Sequence, residues 1–133
     1  MNIGAATDRS GVSAKMIRYY EKIGLIKPSR RANGYRDYDA SDVSVLQFIR
    51  RTRDLGFSLD EVASLLALWR NRKRPSREVK TLALHHINDL ERRMREMRAV
   101  VRTLKDLAAT CRGDERSDCP ILDDLAQPRN KRA

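Results

Sequence analysis

At 133 residues the chain has room for one modest domain, or for a small domain plus a long helix that a partner covers, and none for a large enzyme core. A formal charge of +10 suits it to polyanions, either nucleic acid or an anionic membrane surface. No apolar run approaches the ~20 residues of a membrane span and no export signal opens the sequence, so the expectation is a cytoplasmic protein with no membrane attachment.

The basic excess is concentrated early, with 15 Lys/Arg against 8 Asp/Glu in residues 1–75. The opening stretch is compatible with a short helix broken at Ser10-Gly11. Ser13 then caps a second helix, Ala14 to Ile23, which Gly24 ends. This reads as a helix-turn-helix. Lys27-Pro28-Ser29 and Ala32-Asn33-Gly34 punctuate a non-helical segment, and Asn-Gly is a hairpin signal, so residues 26–38 form a small two-stranded wing.

A second helical pair follows. Ser41 caps Asp42 to Asp54, and Ser58 caps Leu59 to Trp69 with Glu61 in the box position. Val45, Leu46, Phe48, Ile49, Val62, Leu65, Leu66 and Trp69 are spaced to build one core with Ile17, Leu25 and Ile26. Residues 70–75 are basic, end in Pro75 and read as a hinge.

From Ser76 to about Thr110 neither Gly nor Pro occurs. Ala83, Ile87, Leu90, Met94, Met97, Val101, Leu104 and Ala108 step by alternating fours and threes, a sustained heptad seam. Such a helix extends about 50 Å, and the remaining sequence is too short to cover it, so a homodimeric coiled coil is expected. The seam leaves its orientation open. After Cys111-Arg112-Gly113 a charged loop leads to Cys119-Pro120, a short helix from Ile121 to Ala126 and a polar, basic end.

The chain is thus expected to be mainly α. A winged helix-turn-helix domain covers residues 1–70, and a hinge and dimerisation helix 71–110. A metal-binding loop, short helix and tail cover 111–133. In a helix-turn-helix the second helix enters the major groove of double-stranded DNA. Here it offers Lys15, Arg18, Tyr19 and Tyr20, and the wing adds Arg31, Tyr35 and Arg36.

Two cysteines in a reducing compartment point to a metal site or a redox switch before a structural disulfide. Seven residues, one of them Gly, separate Cys111 from Cys119, which lets both sulfurs converge. Thiolates are soft donors suited to Cu(I) and its heavier analogues, whereas structural zinc usually takes four ligands and no third cysteine exists. His85 and His86 lie mid-helix and read as ordinary helix-surface or seam-flanking residues.

Met16-Ile17-Arg18-Tyr19-Tyr20-Glu21 through Gly24-Leu25-Ile26, then Asn33-Gly34-Tyr35-Arg36-Asp37-Tyr38, then Leu55-Gly56-Phe57-Ser58-Leu59-Asp60-Glu61 resemble, in order, the signature of the MerR family of winged-helix regulators. Thr7 departs from it, standing where the family usually has a small Ala. The loop from Cys111 to Ile121 is similar to that of the family's copper efflux regulators. The resemblance implies two copies joined by antiparallel long helices, a pseudo-palindromic promoter, and activation by distortion of that DNA for RNA polymerase. It also implies Cu(I), Ag(I) or Au(I) as inducer, held by two thiolates in linear geometry. Lys80 then helps to offset the charge, and Ser76 stands where divalent-ion relatives place a further Cys. A thiol redox sensor and a constitutive architectural DNA-binding protein are the competing readings. An enzyme is not expected, since no nucleophile and base pair and no Gly-rich phosphate loop is present.

Overall fold

The computed structural model describes residues 1–128; the basic end beyond Pro128 lies outside the described residues. In chain order the elements are α1 (Ile3–Ser10), α2 (Ala14–Lys22), β1 (Ser29–Arg30), β2 (Arg36–Asp37), α3 (Ala40–Asp54), α4 (Leu59–Arg70), α5 (Ser76–Thr110) and α6 (Pro120–Ala126). They fall into two compact units, Met1–Leu82 and residues 83 onward, each taken by itself below. Among the described residues no helix is long and apolar enough to cross a membrane.

In the first unit the starts of α1, α2, α3 and α4 are each fixed locally by a side-chain cap. Asn2 accepts from the Ala5 amide at 2.9 Å and Ser13 from that of Met16 at 3.2 Å. Gly11 ends α1 at φ 75°, a left-handed conformation in which a Cβ would also run into the Arg50 guanidinium. Ser58 and Glu61 form the expected reciprocal box at the start of α4.

The start of α3 is a correction. Asp39, not Ser41, is the cap: it accepts from the Asp42 amide at 2.8 Å, while Asp42 accepts from the Asp39 amide at 3.0 Å. The reason is reciprocity. Three residues after Asp39 stands an acid that returns the bond, whereas three residues after Ser41 stands Ser44. Desolvation raises the Asp42 pKa, opposed by the hydrogen bond from the Asp39 backbone. Asp39→Ala should cost about 1 kcal/mol of stability, measured by urea denaturation of the otherwise unchanged chain; a cost near zero would mean that the amide finds water just as readily.

The core gathers Ala6, Val12, Ile17, Tyr20, Ile26, Tyr38, Val45, Leu46, Ile49, Val62 and Leu66, with Leu25 and Phe48 packed at its margin. Trp69 belongs to the surface instead, 42% exposed and stacked on Phe48 with ring centroids 4.7 Å apart. The Thr7 hydroxyl is buried without a hydrogen-bond partner among the described residues, the physical consequence of a Thr where a small apolar residue would fit.

The wing is a two-stranded antiparallel sheet with Ser29 opposite Asp37 and Arg30 opposite Arg36. Its turn is closed by the Arg31 amide donating to the Tyr35 carbonyl at 2.8 Å and by Gly34 at φ 86°.

The second unit consists of the greater part of α5, the loop from Cys111 to Cys119, and α6, which has Pro at its first position. The seam residues Ile87, Met94, Met97, Val101 and Leu104 are all exposed on the single chain.

Candidate nucleic-acid interface and thiol site

In α2 the buried positions are Ile17 and Tyr20, three apart on one helical face, which leaves Lys15, Arg18 and Tyr19 on the other. Tyr20 is therefore corrected from the reading face to the core: it is 5% exposed, and burial raises its phenol pKa. The spacing from Ile17 was the signal that could have found this. Tyr19, 42% exposed, keeps an accessible phenol beside it, with ring centroids 6.0 Å apart.

The structure brings α2 and the wing together. Arg18, Arg31, Tyr35 and Arg36 line one cavity of about 470 Å³ with Asn2 and Ile3. Three guanidiniums and a phenol around one concavity make a phosphate-seeking surface, since arginine presents several donors in a fixed fork. Two carboxylates hold the wing in place. Asp37 accepts from the Met1 amino group at 2.8 Å and from Arg31 at 3.4 Å, which together keep its carboxyl below the usual range, the amino group contributing most. Glu21, near the end of α2, accepts from Arg30 at 3.4 Å and from Nε of Arg36. Tyr38 closes β2 against the core. Its phenol is buried without a hydrogen-bond partner among the described residues, and desolvation raises its pKa, the charge of Glu21 adding to the shift.

In the second unit Cys111 and Cys119 are both free and half-buried, and both line one cavity of about 340 Å³ with Thr110, Arg112, Asp114, Arg116, Asp118 and Pro120. The loop is shaped by its own side chains: Asp114 accepts from the Arg116 amide at 3.0 Å, and Arg116 pairs with Asp118 at 3.6 Å. Arg112 lines the same cavity with no ion pair among the described residues. No cluster of three or more His, Cys, Asp or Glu side chains able to hold a metal occurs among the described residues, so the donor set on offer is two thiols. That set fits a soft ion of low coordination number and does not fit a four-ligand structural zinc. Ser76 and Lys80 stand in the first turns of α5, both exposed, within the first unit.

Residues 1–68 match the family described as "MerR HTH family regulatory protein", and residues 43–107 match "MerR, DNA binding". The chain belongs to the MerR family. It is therefore a DNA-binding regulator and not an enzyme. It is 56% identical over 128 residues to the HTH-type transcriptional regulator HmrR of Sinorhizobium medicae (strain WSM419), covering 96% of this chain and 87% of that one. It is 55% identical to the heavy metal-dependent transcription regulator 2 of Rhizobium meliloti (strain 1021), covering 95% and 86%. Among solved structures it resembles the transcription regulator PbrR691 of Ralstonia metallidurans CH34 in complex with lead(II), at 35% identity and a TM-score of 0.85, covering 95% of this chain and 99% of that one. As a MerR protein it carries the expected architecture, an N-terminal helix-turn-helix with a wing followed by a long helix.

Proposed function

We propose that this MerR protein is a heavy-metal-dependent transcription activator whose inducer is a soft monovalent ion, Cu(I) or its analogues Ag(I) and Au(I), held between Cys111 and Cys119. The single observation that carries the reading is that both thiols line one small cavity on a loop with no third soft donor. The names of the relatives favour heavy metals in general, and one is a lead(II) complex, so the choice of ion rests on the donor set. Two thiolates about a +1 ion carry one net negative charge, which a half-buried site tolerates only beside a cation. Arg112 supplies that charge from the same loop, and Lys80, with Ser76 as a neighbour of the site, is the further cation that the resemblance implies.

In this reading residues 1–70 bind DNA, 71–110 join two copies through antiparallel long helices, and 111–133 sense the ion. Lys15, Arg18, Tyr19, Arg31, Tyr35 and Arg36 engage the duplex, mostly through phosphates, and the dimer spans two half-sites. Occupancy of the loop shifts the dimer to a form that bends and untwists the promoter, so that RNA polymerase uses both of its elements. The test is transcription in vitro from a promoter the protein binds, with Cu(I), Ag(I), Zn(II), Pb(II) and Hg(II) under excess thiol. Activation by the monovalent ions alone supports the reading. Activation by Pb(II) or Hg(II) would return the site to a divalent sensor, and a response to oxidant alone would make it a disulfide switch.

A further inference from the structure

Glu21 is an acid placed where the reading helix meets the wing, on a surface otherwise set up to attract phosphates. Its side chain is 15% exposed, and it accepts from Arg30 at 3.4 Å and from Nε of Arg36. Arg30 and Arg36 are one of the two facing pairs of the hairpin, one on each strand. A single carboxylate thus ties both strands of the wing to the last turn of α2. Arg30 extends the tie by donating to the Gly34 carbonyl at 3.2 Å, which braces the turn. The next cation, Arg31, is fixed from the other side by Asp37.

By charge alone an acid here opposes DNA binding, because it repels phosphates and occupies two arginines that would otherwise seek them. Against that stands geometry. A two-stranded ribbon is marginal by itself, and a wing that drifts relative to the helix spends binding energy on being ordered. We propose that Glu21 is a positioning residue for DNA recognition, clamping the wing so that Arg31, Tyr35 and Arg36 are held in fixed relation to Arg18. The inference rests on the DNA-binding role of the family. It concerns specific binding, since phosphates of any sequence attract the arginines whether or not they are aligned.

The experiment uses the full-length dimer and two probes, the duplex that the wild type selects most tightly from a random-sequence library and mixed-sequence genomic DNA. Glu21→Gln should bind the selected duplex about tenfold more weakly, despite the gain of one positive charge, and the mixed DNA as well as wild type or better. Because the clamp has two halves, Arg30→Gln, at a residue outside the proposed DNA contacts, should lose specific affinity as well, and its double variant with Glu21→Gln should lose no more than the worse single one. Thermal unfolding identifies a fold defect; should Glu21→Gln not fold, Arg30→Gln alone tests the same tie on both probes. Equal or tighter binding of the selected duplex by Glu21→Gln would overturn the proposal, as would equal weakening on both probes or additive losses in the double variant. If the wild type selects no duplex, the DNA-binding reading falls and the clamp with it.

Discussion

Cys111→Ser and Cys119→Ser should each abolish the response to the inducing ion while leaving the apo protein able to bind DNA. Serine nearly preserves shape but replaces a soft, ionisable sulfur with a hard hydroxyl. In a two-donor site there is no remaining pair to hold the ion. The expected loss of Cu(I) affinity is at least about a thousandfold, or ~4 kcal/mol, read by competition with a chromophoric chelator under excess thiol. DNA binding should be spared because both cysteines lie in the second unit, on a loop outside the hydrophobic core. Retention of affinity within tenfold by either variant would sink the two-thiolate site.

The second large effect concerns assembly. Met97→Glu combined with Val101→Glu should convert the dimer to a monomer without unfolding the chain. Met97 and Val101 are 69% and 49% exposed on the isolated protomer, so a carboxylate there stays hydrated and the helix keeps a residue of good helical propensity. In the paired state the same positions enter the seam, where four like charges per dimer would be desolvated without partners, at a cost of several kcal/mol. The dissociation constant should rise by about a thousandfold or more, as seen by sedimentation at micromolar concentration. Binding to a two-half-site duplex should collapse with it. A variant still dimeric under those conditions would place the interface off the heptad seam.

Much of this molecule was readable before its structure, for reasons that differ along the chain. The bounds of α5 follow from punctuation: thirty-five residues free of Gly and Pro, with breakers on either side, leave no other place to stop. Ser13 was readable as a cap because it follows the break at Ser10-Gly11, and Ser58 because Glu61 stands three residues later. At Asp39-Ala40-Ser41-Asp42 two competent caps compete, and the winner depends on which has an acid three residues later. The adjacent tyrosines pose a similar problem. Both look fit for DNA, yet successive helical residues point about 100° apart, and only Tyr20 shares a face with Ile17.

Other features lay outside any local signal. Ala6 and Val12 joined the core through tertiary packing alone, and Trp69 stacks on Phe48 at the exposed margin instead of entering it. The pairing of Glu21 with Arg30 and Arg36 joins residues nine and fifteen apart, across a turn whose direction no periodicity reports. At the thiol site the sequence supplied the donors and their spacing. What it lacked was the internal bonding of the loop, in which Asp114 and Asp118 engage Arg116 while Arg112 has no ion pair among the described residues.

The stack of Trp69 on Phe48 gives the protein a built-in optical reporter. Trp69 is the sole tryptophan, so indole emission comes from one place, the contact between α3 and α4. Far-ultraviolet ellipticity, by contrast, is weighted toward the 35 residues of α5. The two signals thus watch different parts of the chain as denaturant is added. Coincident curves would mean that the reading head and the long helix melt as one cooperative body, and separated curves would give each its own midpoint.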